Sequence, residues 1–394
     1  MRPSSFEKER ITGGTVKMDT GEKKYGLLFS PVTINRLRLA NRVVMAPTHM
    51  GLNSEEGFVT PAAIDFFLKR ARGGASMLIF GAVAVSPRRL PSQMRLSDDK
   101  FVPGVKELVN RIHSESGAKV CAQLYDWLKF GRHWKQDIHE LTLEDIQKSI
   151  GLHEKGAIRA MESGFDAIEI HAAHGYVLAS FLCLRNKRED GYGKDFEGRM
   201  KLVAEVYGKV RTVVGPDYPL GVRINGDDFI VGGNTLKQSR PIATRLAQMG
   251  FDYISVTAGG KYEDSSGLIP KYESPHPYPP VGGYSGFRSM PPLDMPEAVN
   301  VYLAADLRKT LREAGYTTPV ITAGRIPCPE LAESLLKEGQ ADLIALGRPL
   351  IRDPDWVVKA REGRRKDIKK CIYCNDCTER ELYGEPSLCQ FTKE

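Results

Sequence analysis

The sequence predicts an α/β fold, a (β/α)8 or TIM barrel that continues into a cysteine-rich C-terminal tail. Eight short apolar runs alternate with helix-like segments over about 300 of the 394 residues, as in barrels of this kind. The chain is longer than one average domain, which favours either one large barrel or two domains. An open doubly wound sheet has the same alternation and is the alternative.

The eight apolar runs are the predicted strands. They are nearly continuous and rich in Val and Ile, which suits parallel strands that are covered on both faces. In chain order they are RVVMAPT (42–48), SMLIFGA (76–82), KVCAQL (119–124), DAIEIH (166–171), PLGVRIN (219–225), DYISVT (252–257), TPVITAG (318–324) and ADLIALG (341–347).

The segments between the runs carry helix signals. Thr60 followed by Pro61 is a typical N-cap with proline at the first helical position. Thr142 and Asp145 have capping-box spacing, and the apolar residues after them predict an amphipathic helix that ends at Gly164.

The composition and the spacing of the predicted strands and helices also divide the chain into segments. Residues 1–24 are polar and are predicted to be a flexible arm, 25–365 the barrel, and 366–394 the tail. Residues 262–294, rich in Pro, Gly and Tyr, interrupt the alternation after the sixth strand. We expect this long loop to lie over the mouth of the barrel.

Composition and charge exclude several classes of protein. A content of 41% hydrophobic and 27% charged residues is ordinary for a soluble globular protein. No stretch approaches the ~20 apolar residues of a membrane span, and the N-terminus lacks a secretory signal, so we expect a cytoplasmic protein. The net charge of +7 comes from Lys and Arg interspersed with acids, which argues against nucleic-acid binding. Cysteines in such a chain are not expected to form disulfides.

Polar and small residues close the predicted strands, and a barrel brings them to one mouth. The seventh and eighth strands end in the pairs Gly324–Arg325 and Gly347–Arg348, where barrels commonly bind a phosphate. The two matched pairs predict a phosphorylated cofactor. The other residues at strand ends are Thr48, His49, Gln123, His171, His174, Tyr176 and Arg223.

These side chains suggest a specific chemistry. Gln123 offers a donor and an acceptor to a pyrimidine-type edge, and Arg223 suits an anionic ring position. His171 and His174 are close enough to bind one carbonyl oxygen, which would polarise it for attack at a conjugated carbon, with Tyr176 as a proton donor. Paired histidines also occur in metal sites, but no acidic residue after Gly175 completes a ligand set.

Three longer segments resemble a known family. LFSPVTINRLRLANRVVMAPTHMG, FDAIEIHAAHGYVLASFLCLRNKREDGYG and ADLIALGRPLIRDP resemble the Old Yellow Enzyme family of FMN-dependent barrel oxidoreductases. The similarity extends over residues 25–389. The tail spacing C-x2-C-x2-C-x11-C is similar to that of the branch with 2,4-dienoyl-CoA reductase and trimethylamine dehydrogenase, which hold a [4Fe-4S] cluster there.

The resemblance implies a set of cofactor and substrate residues. His171 and His174 match the pair that binds the substrate carbonyl, and Tyr176 matches the proton donor. His49 stands where trimethylamine dehydrogenase has the cysteine that binds FMN covalently, which implies a noncovalent flavin here. The implied FMN-binding residues are Ala46, Pro47, Thr48, His49, Ala82, Gln123, Arg223, Gly324, Arg325, Gly347 and Arg348.

For the tail, the resemblance implies that Cys371, Cys374, Cys377 and Cys389 ligate the [4Fe-4S] cluster. Three clustered cysteines with a fourth after a loop suit such a cluster. Structural zinc is the alternative, although zinc ligands usually form two separated pairs.

The sequence departs from the family pattern in three places. QLYDWLKFGRHW replaces the usual QLxHxGR and its Pro-rich loop, which implies a more open or differently specific site. YGKDFEGR replaces YGGSxENR. The sequence also ends after the cysteine motif, whereas relatives in this branch continue into FAD and dinucleotide-binding domains.

The predicted enzyme is an FMN- and [4Fe-4S]-dependent ene reductase. Flavin N5 would supply hydride to the β-carbon of an unsaturated carbonyl or enoyl thioester, and Tyr176 would protonate the α-carbon. Electrons would come through the cluster from a separate donor, such as an FAD subunit, a flavodoxin or a ferredoxin, or directly from NADH.

Two other functions remain open. One is an amine dehydrogenase or demethylase that exports electrons and holds a methylated ammonium among aromatic residues, for which Trp127, Trp134, Trp356 and the tyrosines of the 262–294 loop are candidates. The other is a catalytically silent electron-transfer subunit. The substrate and the formation of a homo-oligomer are left open by the sequence.

Overall fold

Eight parallel strands pair into one closed barrel in the computed structural model, which describes residues 20–87, 91–127, 138–260, 283–382 and 384–392. The last strand pairs with the first, Ile344 opposite Val43, which excludes the open sheet. Two short strands form a separate hairpin: β1 (Val32–Ile34) and β2 (Leu37–Leu39). The barrel strands are β3 (Val43–Met45), β4 (Met77–Ala84), β5 (Lys119–Tyr125), β6 (Ala167–Ala172), β7 (Leu220–Asp227), β8 (Tyr253–Ala258), β9 (Val320–Ala323) and β10 (Leu343–Leu346).

All eight predicted strands are therefore present, and helices cover the outside of the barrel. The helices are α1 (Gly21–Lys24), α2 (Pro61–Arg72), α3 (Val102–Glu115), α4 (Leu143–Glu162), α5 (Val177–Leu182), α6 (Phe196–Val214), α7 (Leu236–Met249), α8 (Gly283–Ser289), α9 (Val301–Glu313), α10 (Pro329–Lys337), α11 (Arg348–Arg352), α12 (Trp356–Arg361) and α13 (Asp376–Leu382). Within the described part of the chain, no helix has the length and apolar content needed to cross a membrane.

The barrel is apolar on both faces of its strands, as the continuous runs indicate. Residues that face the helices, such as Ile170 and Val222, join one large core. Inward-facing residues near the strand starts form a second core with Leu37 and Leu39 of the hairpin. The hairpin therefore plugs the amino-terminal end of the barrel, and the carboxyl end is left for polar groups.

The predicted helix signals are confirmed in α2 and α4. The Thr60 hydroxyl accepts from Ala63 N at 3.2 Å, with Pro61 at the first helical position. Thr142 and Asp145 form a reciprocal capping box at the start of α4. The helix ends at Glu162, and Gly164 follows with φ +85°, a conformation that glycine adopts at little cost.

The described end of the predicted N-terminal arm is packed on the barrel. Gly21 begins α1 and lies so close to α12 that a Cβ there would stand 1.8 Å from the Ala360 carbonyl oxygen. Tyr25 donates a hydrogen bond of 2.5 Å to Glu330 Oε1. Residues 20–24 of the predicted arm thus pack on the barrel, while residues 1–19 lie outside the described residues.

The loop predicted at 262–294 is described from residue 283 onward, and residues 261–282 lie outside the described residues. Its described end lies at the carboxyl end of the barrel. The Pro291 carbonyl accepts from Arg348 Nη1 at 2.9 Å, and the Met290 carbonyl accepts from Asn375 Nδ2 at 2.9 Å. These bonds join the loop to both the eighth strand end and the tail.

Candidate functional site

A single pocket at the carboxyl ends of the strands contains every residue that was predicted to bind FMN or substrate. The barrel geometry explains this convergence, because parallel strands end at the same rim. The predicted residues that line it are Ala46, Pro47, Thr48, His49, Ala82, Gln123, His171, His174, Tyr176, Arg223, Gly324, Arg325, Gly347 and Arg348. The structure thus brings them together, and their individual roles stay predictions.

The two histidines and the tyrosine form a compact cluster after β6. The His171 ring lies 5.1 Å from that of His174 and 4.8 Å from that of Tyr176, measured between centroids. His174 has φ +59°, which turns the chain sharply after the strand, and its Nε2 lies 2.9 Å from Thr257 Oγ1. The His171 ring is thus next to both the His174 ring and the Tyr176 ring at this end of the pocket.

Aromatic side chains hold Tyr176 in place. Its ring meets Tyr125 edge-on at 5.0 Å and Trp127 edge-on at 5.8 Å. Tyr125 donates to Gln93 Oε1, and Gln93 Nε2 donates to the Ala82 carbonyl at 2.7 Å. Tyr176 is only 4% exposed, so bulk water has little access to it.

A buried polar network lies behind Gln123. Gln123 Nε2 donates to Glu169 Oε1 at 2.7 Å, and Arg223 Nη1 donates to Ser255 Oγ at 3.0 Å. Burial raises the pKa of Glu169, and Arg223 and the Gln123 amide oppose that rise by stabilising its charged form. Because the Gln123 amide nitrogen donates to Glu169, the Gln123 side-chain oxygen can accept a hydrogen bond from another group.

The Gly-Arg pairs form the opposite end of the pocket. Gly324 has φ +120°, and a Cβ there would lie 3.0 Å from Asn300 Cβ, so only glycine suits this turn. Arg325 donates to the Pro292 carbonyl and Arg348 to the Pro291 carbonyl. Burial lowers the pKa of the Arg348 guanidinium, yet two arginines still make this end electropositive.

The pocket fits a polar, phosphorylated ring cofactor. Several buried polar atoms that belong to its lining residues have no hydrogen-bond partner among the described residues, and a bound ligand would satisfy them. They are Arg325 Nε, Asn300 Oδ1, Tyr373 Oη and Ser387 Oγ. FMN is a cofactor of this kind, and the prediction is that the Gly-Arg pairs would hold its phosphate and that Gln123 and Arg223 would hold its ring edge.

The four tail cysteines line another pocket together with Arg348 and Arg352. Cys377 lines both pockets, so the tail forms a wall of the main one. Among the described residues, no three Cys, His, Asp or Glu side chains are grouped around the position of a single metal ion. Four cysteine thiols that line one pocket are the type of donor that a [4Fe-4S] cluster takes, and the presence of the cluster stays a proposal.

Of the three tryptophans predicted to surround an ammonium group, the two that the structure describes do not line the pocket. Trp356 is buried away from the pocket, and its Nε1 donates to the Pro327 carbonyl at 3.3 Å. Trp127 packs against the Tyr176 ring. Trp134 lies outside the described residues.

Several lining or supporting residues were missed by the sequence interpretation. Glu169 had a signal, since a charged residue inside the apolar run DAIEIH must be buried and paired. Thr257 also had a signal, since it is the polar residue that closes the predicted strand DYISVT. Gln93 had none, because it approaches the site only through the folding of a distant segment. Tyr373 also lines the pocket, but its position between Cys371 and Cys374 in the sequence did not indicate this.

Comparison with known proteins shows the family to which the chain is related. A family model described as "NADH:flavin oxidoreductase / NADH oxidase family" matches residues 27–139, 129–259 and 297–367. The chain is 36% identical over 373 residues to an NADH oxidase from Thermoanaerobacter brockii, which is 88% of this chain and 52% of that protein.

Two reductases are also similar. A cinnamate reductase from Clostridium sporogenes is 27% identical over 386 residues, covering 90% of this chain and 55% of that protein. A structure of 2-naphthoyl-CoA reductase with 2-naphthoyl-CoA superposes with a TM-score of 0.80 at 25% identity, covering 93% of this chain and 57% of that one. The chain thus spans about half the length of these proteins.

Proposed function

Because the chain belongs to the NADH:flavin oxidoreductase / NADH oxidase family, and is therefore a flavin oxidoreductase, we propose that it is an FMN- and [4Fe-4S]-dependent ene reductase. Its substrate class is an α,β-unsaturated carbonyl compound or an enoyl thioester. The observation that carries the proposal is the cluster of His171, His174 and Tyr176 at one end of the predicted flavin pocket. The two similar proteins are named as reductases, and these names support reduction of the substrate as the direction of the reaction.

The histidine pair binds and polarises the substrate oxygen. His171 and His174 have ring planes at 87°, so their edges can point to one acceptor from two sides. Hydrogen bonds to a carbonyl oxygen strengthen as negative charge develops on it, which lowers the barrier to addition at the conjugated carbon. Thr257 fixes the His174 ring, so this geometry is set before substrate binds.

Tyr176 supplies the proton. FMN, when bound, supplies the hydride from N5 that reaches the β-carbon. The Tyr176 hydroxyl then protonates the α-carbon, which completes the addition of hydrogen across the double bond. The packing of Tyr125 and Trp127 around its ring excludes competing water.

Gln123 and Arg223 orient the ring cofactor. The Gln123 oxygen would accept from a ring N–H of the cofactor, since the Gln123 nitrogen already donates to Glu169. The Arg223 guanidinium favours negative charge on the adjacent ring edge and so favours the reduced cofactor.

The cysteine tail brings electrons to the site. A [4Fe-4S] cluster, when bound, supplies one-electron transfer. Its proposed ligand Cys377 lines the predicted flavin pocket as well, which supports electron transfer between the two proposed cofactors. The proposed electron donor is a separate protein such as an FAD subunit, a flavodoxin or a ferredoxin.

Anaerobic purification followed by a spectrum, an iron and sulfide assay and a substrate panel tests the proposal. We expect bound flavin, iron with sulfide, and reduction of at least one member of a panel of enoates, enones and enoyl thioesters that includes cinnamate. Colourless protein with zinc but no flavin would overturn the cofactor assignment. Turnover of trimethylamine without any enoate turnover would instead favour the amine dehydrogenase.

The source of electrons needs a separate experiment. FMN reduction is followed after mixing with NADH, with reduced ferredoxin and with reduced flavodoxin. We expect faster reduction by a protein donor than by NADH. Full and fast reduction by NADH alone would contradict the need for a partner.

A further inference from the structure

Two hydroxyl groups of the tail are buried against the main pocket and have no described partner. Tyr373 and Ser387 are each 3% exposed and both line this pocket. Neither Tyr373 Oη nor Ser387 Oγ has a hydrogen-bond partner among the described residues. A buried hydroxyl without a partner costs roughly 1–3 kcal/mol, so such groups indicate the position of a polar ligand atom.

Tyr373 lies between the two arginines of the Gly-Arg pairs. The guanidinium carbons of Arg325 and Arg348 are each 4.7 Å from the centre of its ring. These arginines follow β9 and β10, the strand ends at which barrels commonly bind phosphate. The Tyr373 hydroxyl is therefore at the electropositive end of the pocket.

The backbone at this position is also unusual. Tyr373 has φ +58° and Asn375 has φ +64°. Asparagine adopts this conformation readily, and Asn375 is held by Arg348 and by the Met290 carbonyl. A bulky tyrosine adopts it only at a cost, and residues held in such conformations cluster at functional sites.

We propose that the Tyr373 hydroxyl donates a hydrogen bond to the phosphate of FMN, so that the cysteine tail completes the cofactor site. This inference rests on the proposed function, because it requires a flavin nucleotide in the pocket. Arg325 and Arg348 bring positive charge to the phosphate, and Tyr373 adds a neutral donor from the segment between Cys371 and Cys374. Cofactor binding and the placement of the tail are then energetically coupled.

The test compares two flavins that differ only in the phosphate. The full chain is freed of flavin under anaerobic conditions and titrated with FMN and with riboflavin, with flavin fluorescence as the readout. Tyr373→Phe keeps the ring between the two arginines and removes only the hydroxyl. Tyr302 lies on the exposed face of α9, and Tyr302→Phe is the matched control.

We expect Tyr373→Phe to weaken FMN binding about 10-fold or more, the size of a hydrogen bond to a charged group. Its affinity for riboflavin stays unchanged, as do both affinities of the control. The ³¹P resonance of bound FMN shifts in Tyr373→Phe and stays in place in the control.

Unchanged FMN affinity in Tyr373→Phe, or an equal loss for FMN and riboflavin, would refute the phosphate contact and leave the proposed function standing. Absence of FMN binding by the unsubstituted chain would overturn both.

Discussion

Among single residues, Tyr176 has surroundings that suit a proton donor. It begins α5, is shielded by Tyr125 and Trp127, and faces His171. The position of Tyr176 just after a predicted strand indicated this residue in the sequence. The aromatic side chains that surround it, however, come from a segment about 50 residues earlier in the chain. Such enclosure excludes water and keeps the hydroxyl in one orientation.

Replacement of Tyr176 by Phe tests its role. We expect turnover of an active enoate to fall by roughly 10²- to 10⁴-fold, the usual contribution of a general acid, with flavin content preserved. Steady-state rates and the flavin spectrum measure the two effects. Tyr302→Phe serves again as the control, and unchanged turnover of every active substrate would remove the proton-donor role.

Glu169 has a different role from Tyr176, because it positions another side chain. It is fully buried in β6 and fixes the amide of Gln123. The charge inside an apolar run was visible in the sequence. Its partner was not, because Gln123 lies on the neighbouring strand and the register that pairs the two, Gln123 opposite Glu169, is a property of the folded sheet.

At the level of elements, α4 illustrates how close a helix lies to the barrel. Its caps were predictable from Thr142 and Asp145, since capping depends on residues three positions apart. The distance between α4 and the barrel was not predictable from the sequence. Gly156 faces the end of β4, where a Cβ would lie 2.4 Å from Val85 Cγ1, and glycine permits this approach.

Two glycines of α4 form a matched pair for mutation. Gly156→Ala is expected to destabilise the fold by about 1–3 kcal/mol, because overpacking outweighs the better helix propensity of alanine. Gly151→Ala, where nothing lies within 4 Å of the added Cβ, is expected to stabilise it by about 0.5–1 kcal/mol. Urea unfolding measures both. Equal effects of the two substitutions would contradict the close approach.

Glu330, at the start of α10, connects three elements. It accepts from Tyr25 and Arg365 at 2.5 Å each and from Lys24 at 3.2 Å. Burial opposes its charge, but the bonds from Arg365, Tyr25 and Lys24 outweigh this and lower its pKa to about 2 from an ordinary 4.5. The carboxylate thus holds the described N-terminal segment and the residue that directly precedes the tail against one helix.

The lowered pKa of Glu330 predicts a pH dependence. A carboxyl whose folded pKa is depressed contributes stability above its unfolded pKa, and this contribution is lost as pH falls from about 4.5 towards about 2. Glu330→Gln should therefore be less stable than the unsubstituted chain at pH 6, with a smaller difference at pH 3. Urea unfolding at both values measures this, with Glu338→Gln as control. A difference that does not change with pH would contradict the pKa of Glu330.

For the whole molecule, the relation between barrel and tail is the main feature. Tyr373, Cys377 and Ser387 all line the main pocket, although they follow the last barrel strand. Arg348 bonds both the loop at Pro291 and the tail at Asn375. The cofactor pocket is therefore built from barrel, loop and tail together.

The tail cysteines provide a test at this scale. Cys389→Ser is expected to lose nearly all bound iron and sulfide, because the cluster needs its fourth thiolate. Cys328→Ser is the control, since Cys328 caps α10 outside the tail and serine is a favoured N-cap residue. Iron and sulfide assays on anaerobic protein measure both. Retention of iron by Cys389→Ser, or zinc in the unsubstituted chain, would contradict the cluster.

Local patterns in the sequence determined the eight strands, the capped helices, the Gly-Arg pairs and the cysteine spacing, because each depends on residues a few positions apart. Only the tertiary structure decided that β10 closes on β3, that Glu169 holds Gln123, and that Tyr373 lies between Arg325 and Arg348. These contacts join residues that are distant in the chain. No short-range periodicity encodes them, since they follow from barrel closure and from how the tail packs on it.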